Sequence, residues 1–373
     1  MSEMRGSLRI LHTESSHGWG GQEIRILTEA RGMQDRGHEV MIATTGNAEL
    51  LPAAAKLGLR TAVLPMRRKG IRELLGVRAW LAANHRRFDV INTHSSTDSW
   101  LVALSRATIP GCPPILRTRH VSTAVNTSFT TRWLYRNATA HIVVTGEALR
   151  LQLLEKNGFP LEHTTSIRTG IDLDRFQPLD KGEMRRLLGV PDKSVIGILA
   201  TLRDWKGHDY LLDAMVVLRP RFPDLFLLIV GDGPRRAHLE RRTDELGLRD
   251  IVRFAGNQDN VPQWLATMDL FALPSYGEEG VPQAIMQAMA CGLPVISTRV
   301  GAIAEAVVAD QTGLLIPTRD STALAAAISD LLQDPAKRQR FSAAAVEYAR
   351  ASFGIDQMLD RMETAFRLVI GDR

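Results

Sequence analysis

The stretch LPSYGEEGVPQAIMQAMACGLPVI, Leu273–Ile296, decides the reading of this chain. A short apolar run enters a turn rich in glycine and glutamate. An apolar-periodic segment of helical length follows, then a second short apolar run. That is strand, turn, helix, strand, the repeat unit of a parallel sheet. Pro282 suits the first helical position, where its missing N–H costs no bond and its fixed φ matches the helix. The leading amides around Gln283, Ala284 and Ile285 are then expected to point back at the turn as an anion site. Glu278 and Glu279 stand just before them. A carboxylate beside an anion site suits a ligand carrying both hydroxyls and phosphate, and a nucleotide sugar is such a ligand.

The same alternation runs outward in both directions. Apolar runs recur at Leu8–His12, Val40–Ala43, Thr61–Leu64, Val90–Thr93, Ile115–Thr118 and Ile142–Thr145. A second set lies at Val195–Ala200, Leu225–Val230, Ile251–Phe254, Leu270–Leu273, Pro294–Ser297 and Gly313–Ile316. Amphipathic stretches separate most of them. With 373 residues, and cores rarely growing past about 250–300 residues, two sets mean two domains. The expected fold class is α/β, two doubly wound Rossmann-like domains facing an interdomain cleft. Turn chemistry at Thr169–Leu179 puts the boundary at 170/171, giving domains 1–170 and 171–354. A helix over Lys181–Leu188 opens the second. The amphipathic stretch 355–370 reads as one helix and is a candidate to pack back on the first domain. Strand ends of both sheets should line the cleft.

Composition is that of an ordinary folded protein, at 45% hydrophobic and 23% charged. Cys112 and Cys291 make no disulfide framework and have no neighbour at metal-ligand spacing, so no metal is expected. The first residues carry no signal-peptide pattern, and no window reaches the ~20 apolar residues of a spanning helix. The expected location is cytoplasmic, with the inner face of the plasma membrane as a candidate station. Residues 1–170 hold 22 Lys and Arg against 13 Asp and Glu, whereas residues 171–373 hold 24 against 28. The basic half points to an anionic partner: a lipid headgroup, a lipid-linked diphosphate or a phosphorylated glycan. No aromatic-interleaved basic motif marks nucleic acid.

Five loops after strands could carry chemistry. In the first, Gly18, Gly20 and Gly21 let backbone approach a ligand ahead of a helix, or simply make a flexible turn. It lacks the GxGxxG spacing of a dinucleotide site. The second ends at His120, a candidate hydrogen-bonding group or a structural histidine. The third, Thr201–Gly207, offers Arg203 and Lys206 to neutralise a departing diphosphate; the plain alternative is a pair of surface cations. The fourth, Gly231-Asp-Gly233-Pro234, is a tight turn in which Pro234 opens a helix. The fifth is the Glu279 turn; helix-dipole compensation alone explains one carboxylate there, worth about 0.3–1 kcal/mol, rather than two.

In this order the segments resemble the family 4 glycosyltransferases, retaining enzymes of the GT-B fold. The pieces are Gly20–Gly21, Thr169–Phe176, Lys206-Gly207, Gly231–Pro234, Pro274-Ser275 leading to Glu279–Pro282, Ala288–Val295 and Thr312–Leu315. The resemblance implies transfer of a sugar from a nucleotide sugar with retention and without metal or other cofactor. It implies that Lys206 and a nearby arginine bind the diphosphate and that Glu279 holds sugar hydroxyls. Backbone of Gly280, Val281, Pro282 and Gln283 completes the donor pocket, and His120 meets the donor sugar. Gly20 and Gly21 approach phosphates or acceptor, and Gly233 belongs to the donor side. The family's second glutamate falls on Gln287, a candidate ribose ligand with no charge. The family's arginine falls on Thr201, with Arg203 as substitute.

The carrier expected by family habit is UDP. The acceptor expected is a glycan or lipid-linked molecule, in bacterial cell-envelope polysaccharide or lipopolysaccharide synthesis. Arg67, Arg68, Lys69, Arg72 and Arg78 read as a basic cluster through one helix ended by Arg86 and Arg87, with Trp80 among them. They make peripheral contact with an anionic membrane a candidate. The competing readings are a GT-B-type nucleotide-sugar epimerase and a non-catalytic nucleotide-sugar-binding homologue.

Overall fold

The computed structural model describes residues 6–120, 124–277 and 279–371. The chain divides into two compact units. One runs to Gly170 and takes in the residues from Ile355 onward; the other is Ile171–Gly354.

The strands of unit 1 are β1 (Arg9–Glu14), β2 (Glu39–Thr44), β3 (Arg60–Val63), β4 (Val90–Thr93), β5 (Ile115–Arg119), β6 (His141–Val144) and β7 (Thr164–Ser166). They pair in the order β3-β2-β1-β4-β5-β6-β7, and every pairing is parallel. Between them run α1 (Gly21–Asp35), α2 (Leu50–Lys56), α3 (Ile71–Asn84), α4 (Ser96–Arg106), α5 (Phe129–Trp133) and α6 (Glu147–Asn157). The edge strand β7 was not anticipated: its sequence, TTS, has no apolar run to betray it.

Unit 2 opens with α7 (Lys181–Leu188), capped by Asp180, whose carboxylate accepts from the Glu183 amide at 2.7 Å. Its strands are β8 (Ser194–Leu199), β9 (Leu225–Val230), β10 (Val252–Gly256), β11 (Leu270–Leu273), β12 (Val295–Thr298) and β13 (Gly313–Ile316). Their order is β10-β9-β8-β11-β12-β13, again all parallel. The helices are α8 (His208–Leu218), α9 (Arg236–Glu245), α10 (Val261–Ala266), α11 (Gln283–Ala290), α12 (Ser321–Gln333) and α13 (Pro335–Ser352). The strand β9, LFLLIV, is buried along its whole length, as a central parallel strand covered on both faces must be.

The last helix, α14 (Ile355–Ile370), belongs to unit 1. Met358, Leu359, Met362, Ala365 and Phe366 enter the same core as Ile10, Ile26, Val90, Leu116 and Val143. Gly32 of α1 makes room, since a Cβ there would meet Leu359 Cδ1 at 2.5 Å. Beneath lies a fully buried polar cluster. Arg25 donates from Nη1 to the Ile167 carbonyl at 2.8 Å and to Thr169 Oγ1 at 3.2 Å. Its Nε stands 3.7 Å from Glu29, which accepts from Asn92 at 3.1 Å. Burial pushes the Glu29 carboxyl up to about 7. Phe366 is fully buried at the centre of the α14 face. Phe366→Ala is expected to cost about 3–5 kcal/mol, read as a lowered denaturation midpoint in urea.

Candidate active site

In unit 2 the strand order reverses between β8 and β11, and ligands of open α/β sheets bind at such reversals. The loops after these two strands are fastened together. The Tyr276 amide donates to the Trp205 carbonyl at 2.8 Å. Gly207 has φ +80 and lies so close to the Pro274 carbonyl that no side chain fits. Lys206 closes a short 3₁₀ turn, Asp204–Lys206, and its Nζ lies 2.6 Å from Glu279 Oε1. Ser275 Oγ donates to the same oxygen at 2.9 Å. The Ser275 carbonyl is held by Thr298 Oγ1 at 2.6 Å, and the Glu279 carbonyl by the Ala302 amide at 3.2 Å. The Lys206 side chain is only 18% exposed and that of Glu279 10%, so Lys206 is no surface cation.

The expectation for α11 needs correcting. Pro282 has ψ 126 and caps the helix, which opens at Gln283. Its carbonyl accepts from Ile285 at 3.1 Å and Met286 at 3.4 Å, so the Ile285 amide does not point at the turn. Gly280 is half-buried, and Val281 and Pro282 are buried. Gln283 and Gln287, half-buried and one turn apart, share a face of α11. Glu278 lies outside the described residues.

Arg203 is exposed, its guanidinium 5.2 Å from the Trp205 ring. A cation the sequence reading passed over, Arg235, pairs instead with Asp204 at 2.8 Å and Asp209 at 3.0 Å. It directly follows the Gly231–Pro234 turn, and α9 opens at Arg236 rather than Pro234. Gly233 is explained by packing, since a Cβ would sit 2.7 Å from the Leu202 carbonyl oxygen. At the head of α8, His208 is buried with neither ring nitrogen bonded, and burial lowers it to about 4.

In unit 1 the order reverses between β1 and β4. Here the strand ends carry buried ionisable groups. Burial pushes Glu14 up to about 8 and Asp98 up to about 6. Glu14 accepts from the Ser16 amide at 2.6 Å and from Ser95 Oγ and Gln22 Nε2. Asp98 accepts from Thr13 Oγ1 at 2.8 Å and the His94 amide at 3.0 Å. His120, directly after β5, is half-buried and bonded to His94. Gly20 caps α1, and Gly21 is its first residue. Gly20 is extended, with φ −176, and a Cβ on it would meet nothing nearer than Glu23 Oε2 at 3.6 Å. The fold therefore does not demand glycine at 20. Of the expected basic helix, only Arg72 and Arg78 lie on α3; Arg67, Arg68 and Lys69 precede it, and Arg86 and Arg87 form a 3₁₀ turn after it. Among the described residues no group of three or more His, Cys, Asp or Glu is placed to hold a metal, and no helix is long and apolar enough to cross a membrane.

Two family patterns cover most of the chain. That described as Glycosyltransferase Family 4 matches residues 19–175, and that described as Glycosyl transferases group 1 matches residues 180–348. D-inositol 3-phosphate glycosyltransferase 2 of Catenulispora acidiphila is 30% identical over 387 residues, covering 92% of this chain and 89% of that protein. The chain belongs to glycosyltransferase family 4. This family 4 glycosyltransferase is also 36% identical over 202 residues to the lipopolysaccharide core biosynthesis mannosyltransferase LpsB of Rhizobium meliloti, a match spanning 52% of the chain and 57% of LpsB. Among solved structures, a glycosyltransferase from Rickettsia africae superposes with a TM-score of 0.89 at 20% identity, covering 99% of this chain and 100% of that one. Anabaena Alr3699/HepE in complex with UDP gives 0.84 at 22%, covering 96% and 99%. These likenesses establish the GT-B fold.

Gly301 has φ +56, and a Cβ there would collide with the Glu279 backbone. Gly301→Ala is expected to lose about 1–3 kcal/mol from strained backbone, whereas Gly20→Ala should be neutral or slightly stabilising. Thermal melts of the two variants check the contrast.

Proposed function

We propose that this family 4 glycosyltransferase moves a sugar from a nucleotide-sugar donor held by unit 2, with retention and without a metal. The observation that carries the reading is the Lys206–Glu279–Ser275 cluster at the strand-order reversal of unit 2. A confined ammonium beside a carboxylate suits a ligand with phosphate at one end and hydroxyls at the other. Lys206, Arg203 and the leading amides of α8 neutralise the charge that develops on the departing phosphate. Glu279, whose Oε1 is engaged by Lys206 and Ser275, offers Oε2 to sugar hydroxyls. Gln283 and Gln287 line the nucleotide side, Gln287 toward the ribose. In unit 1, Gly20, Gly21 and His120 are the proposed ligand contacts.

The acceptor hydroxyl attacks the anomeric carbon from the face the phosphate leaves. The bond from that carbon to the phosphate oxygen breaks, the bond to the acceptor oxygen forms, and the departing phosphate takes the acceptor proton. No dedicated base is required. UDP is the proposed carrier; the name of the HepE complex supports it, while that of a Mycolicibacterium smegmatis relative, a GDP-mannose-dependent mannosyltransferase, keeps GDP in the comparison. A thermal-shift screen across nucleotides and their sugars decides between them. Lys206→Ala is expected to cut transfer by about 10²–10³-fold, and near-normal turnover would remove its role. Glu279→Ala should lose turnover while still binding the free nucleotide; loss of nucleotide binding as well would overturn this division of labour.

The proposed acceptor is a glycan or lipid-linked molecule of the cell envelope, reached at the cytoplasmic face of the membrane. LpsB, named for lipopolysaccharide core synthesis, supports this. So does the surface of unit 1, where Ile71 is 79% and Leu75 60% exposed one turn apart on α3. Lys69 lies 6.0 Å over Trp100, and Phe129 is 85% exposed. Exposed apolar side chains among cations suit an anionic bilayer surface. Binding to phosphatidylglycerol vesicles is expected at low salt, weakening as salt rises. Absence of binding at every salt concentration would eliminate the membrane part of the reading.

A further inference from the structure

Three histidines stand in line at the strand ends of unit 1. His12 lies on β1, His94 directly follows β4 and His120 directly follows β5, and these three strands are neighbours in the sheet. His12 Nδ1 is 3.0 Å from His94 Nε2, and His94 Nδ1 is 2.9 Å from His120 Nε2. Successive rings are nearly parallel, at 15° and 30°, with centroids 5.3 and 5.2 Å apart. The inner end is closed. His12 Nε2 is buried with no hydrogen-bond partner, and the His12 ring stands edge-on to Phe366. Burial lowers His12 to about 3 and holds His94 and His120 well below the usual imidazole range; the nearby Arg25 charge acts the same way on the latter two.

Three neutral imidazoles carry three N–H groups, one each. His94 must donate once and accept once, so only two arrangements exist. In one, every proton points outward: His12 Nδ1–H to His94, His94 Nδ1–H to His120, and His120 keeps its proton on Nδ1. In the other, every proton points inward and His12 is left with an N–H buried against hydrocarbon. Unsatisfied buried donors are rarer than under-used acceptors. The outward arrangement leaves only a lone pair at His12. Because the chain ends blind at Phe366, it has no inner source or sink of protons.

We propose that His94 and His12 are positioning residues that fix His120 in its Nδ1–H tautomer, so that it meets a ligand oxygen as a hydrogen-bond donor and not as a proton acceptor. This rests on the reading of His120 as a ligand-facing group. Aspartate 98 reinforces the geometry by holding the His94 amide at 3.0 Å.

The test is a two-bond ¹H–¹⁵N correlation spectrum of the ¹⁵N-histidine-labelled protein, with His120 assigned by its loss in His120→Gln. The expected pattern for His120 is protonated Nδ1 and bare Nε2; the opposite pattern in the wild-type protein overturns the proposal. His94→Phe keeps ring bulk but removes both bonds, so His120 should revert toward the Nε2–H form that unconstrained neutral histidine favours. In His94→Asn the side-chain amide takes the place of Nδ1–H and should preserve the wild-type pattern. Nucleotide release from UDP-glucose or GDP-mannose, whichever stabilises the protein, is expected to fall tenfold or more in kcat for His94→Phe with KM unchanged. His94→Asn should recover part of that loss. Equal loss in both variants overturns the proposal in favour of simple core support. Near-normal turnover in His120→Gln would instead overturn the reading beneath it, whatever the spectra show.

Discussion

Every strand in each unit runs the same way, and that single constraint places the chemistry. Parallel strands end on one edge, so all the loops that follow them gather there. Where the strand order turns back on itself, neighbouring loops depart to opposite sides and leave a crevice. In unit 2 the two strands flanking the reversal deliver Lys206 and Glu279, residues 73 apart in sequence, to within 2.6 Å. In unit 1 the corresponding strands deliver His12 and His94, with Glu14 and Asp98 beside them.

The Lys206–Glu279 pair is costly to place where little water reaches it. An ion pair removed from solvent is sustained only when further hydrogen bonds occupy its remaining lone pairs and protons. Ser275 supplies one such bond, and the backbone around the pair is pinned from three directions by Thr298, Ala302 and Trp205. Glycines 207 and 301 then earn a physical reason: each is pressed against carbonyl backbone of the β11 loop in a left-handed conformation. The site is built on close backbone approach that only glycine permits.

The sequence made much of this legible. Val90–Thr93, Leu225–Val230 and Leu270–Leu273 read as strands because each is a short β-branched or apolar run between turns, and α7 and α14 read as helices from their period and flanking residues. Edge strand β7 was invisible because a polar strand has no such run. Lys206 and Glu279 were legible through motif resemblance, but Ser275 and Gly301 were not seen as their supports, since those relations exist only through space. Pro282 was misplaced by one position because capping and first-turn proline look alike in sequence. Arg25 and Glu29, one turn apart on α1, look like an ordinary surface pair; in the fold they are buried among Ile167, Thr169, Asn92 and Met362 of the returning α14. His120 was legible from its place after a strand, but the alignment of the three histidines was not, because it depends on β4 lying between β1 and β5.

That returning helix sets an order of assembly. On the ribosome, the first unit emerges lacking the wall that Met358, Met362 and Phe366 provide. All the residues of the second unit are synthesised before that wall exists. Domains generally fold as they emerge, the N-terminal one first. Here the rule is inverted for completion: the unit whose strands are made earlier is the last to seal its interior, because α14, which covers a stripe of its hydrocarbon, is made after the whole of unit 2.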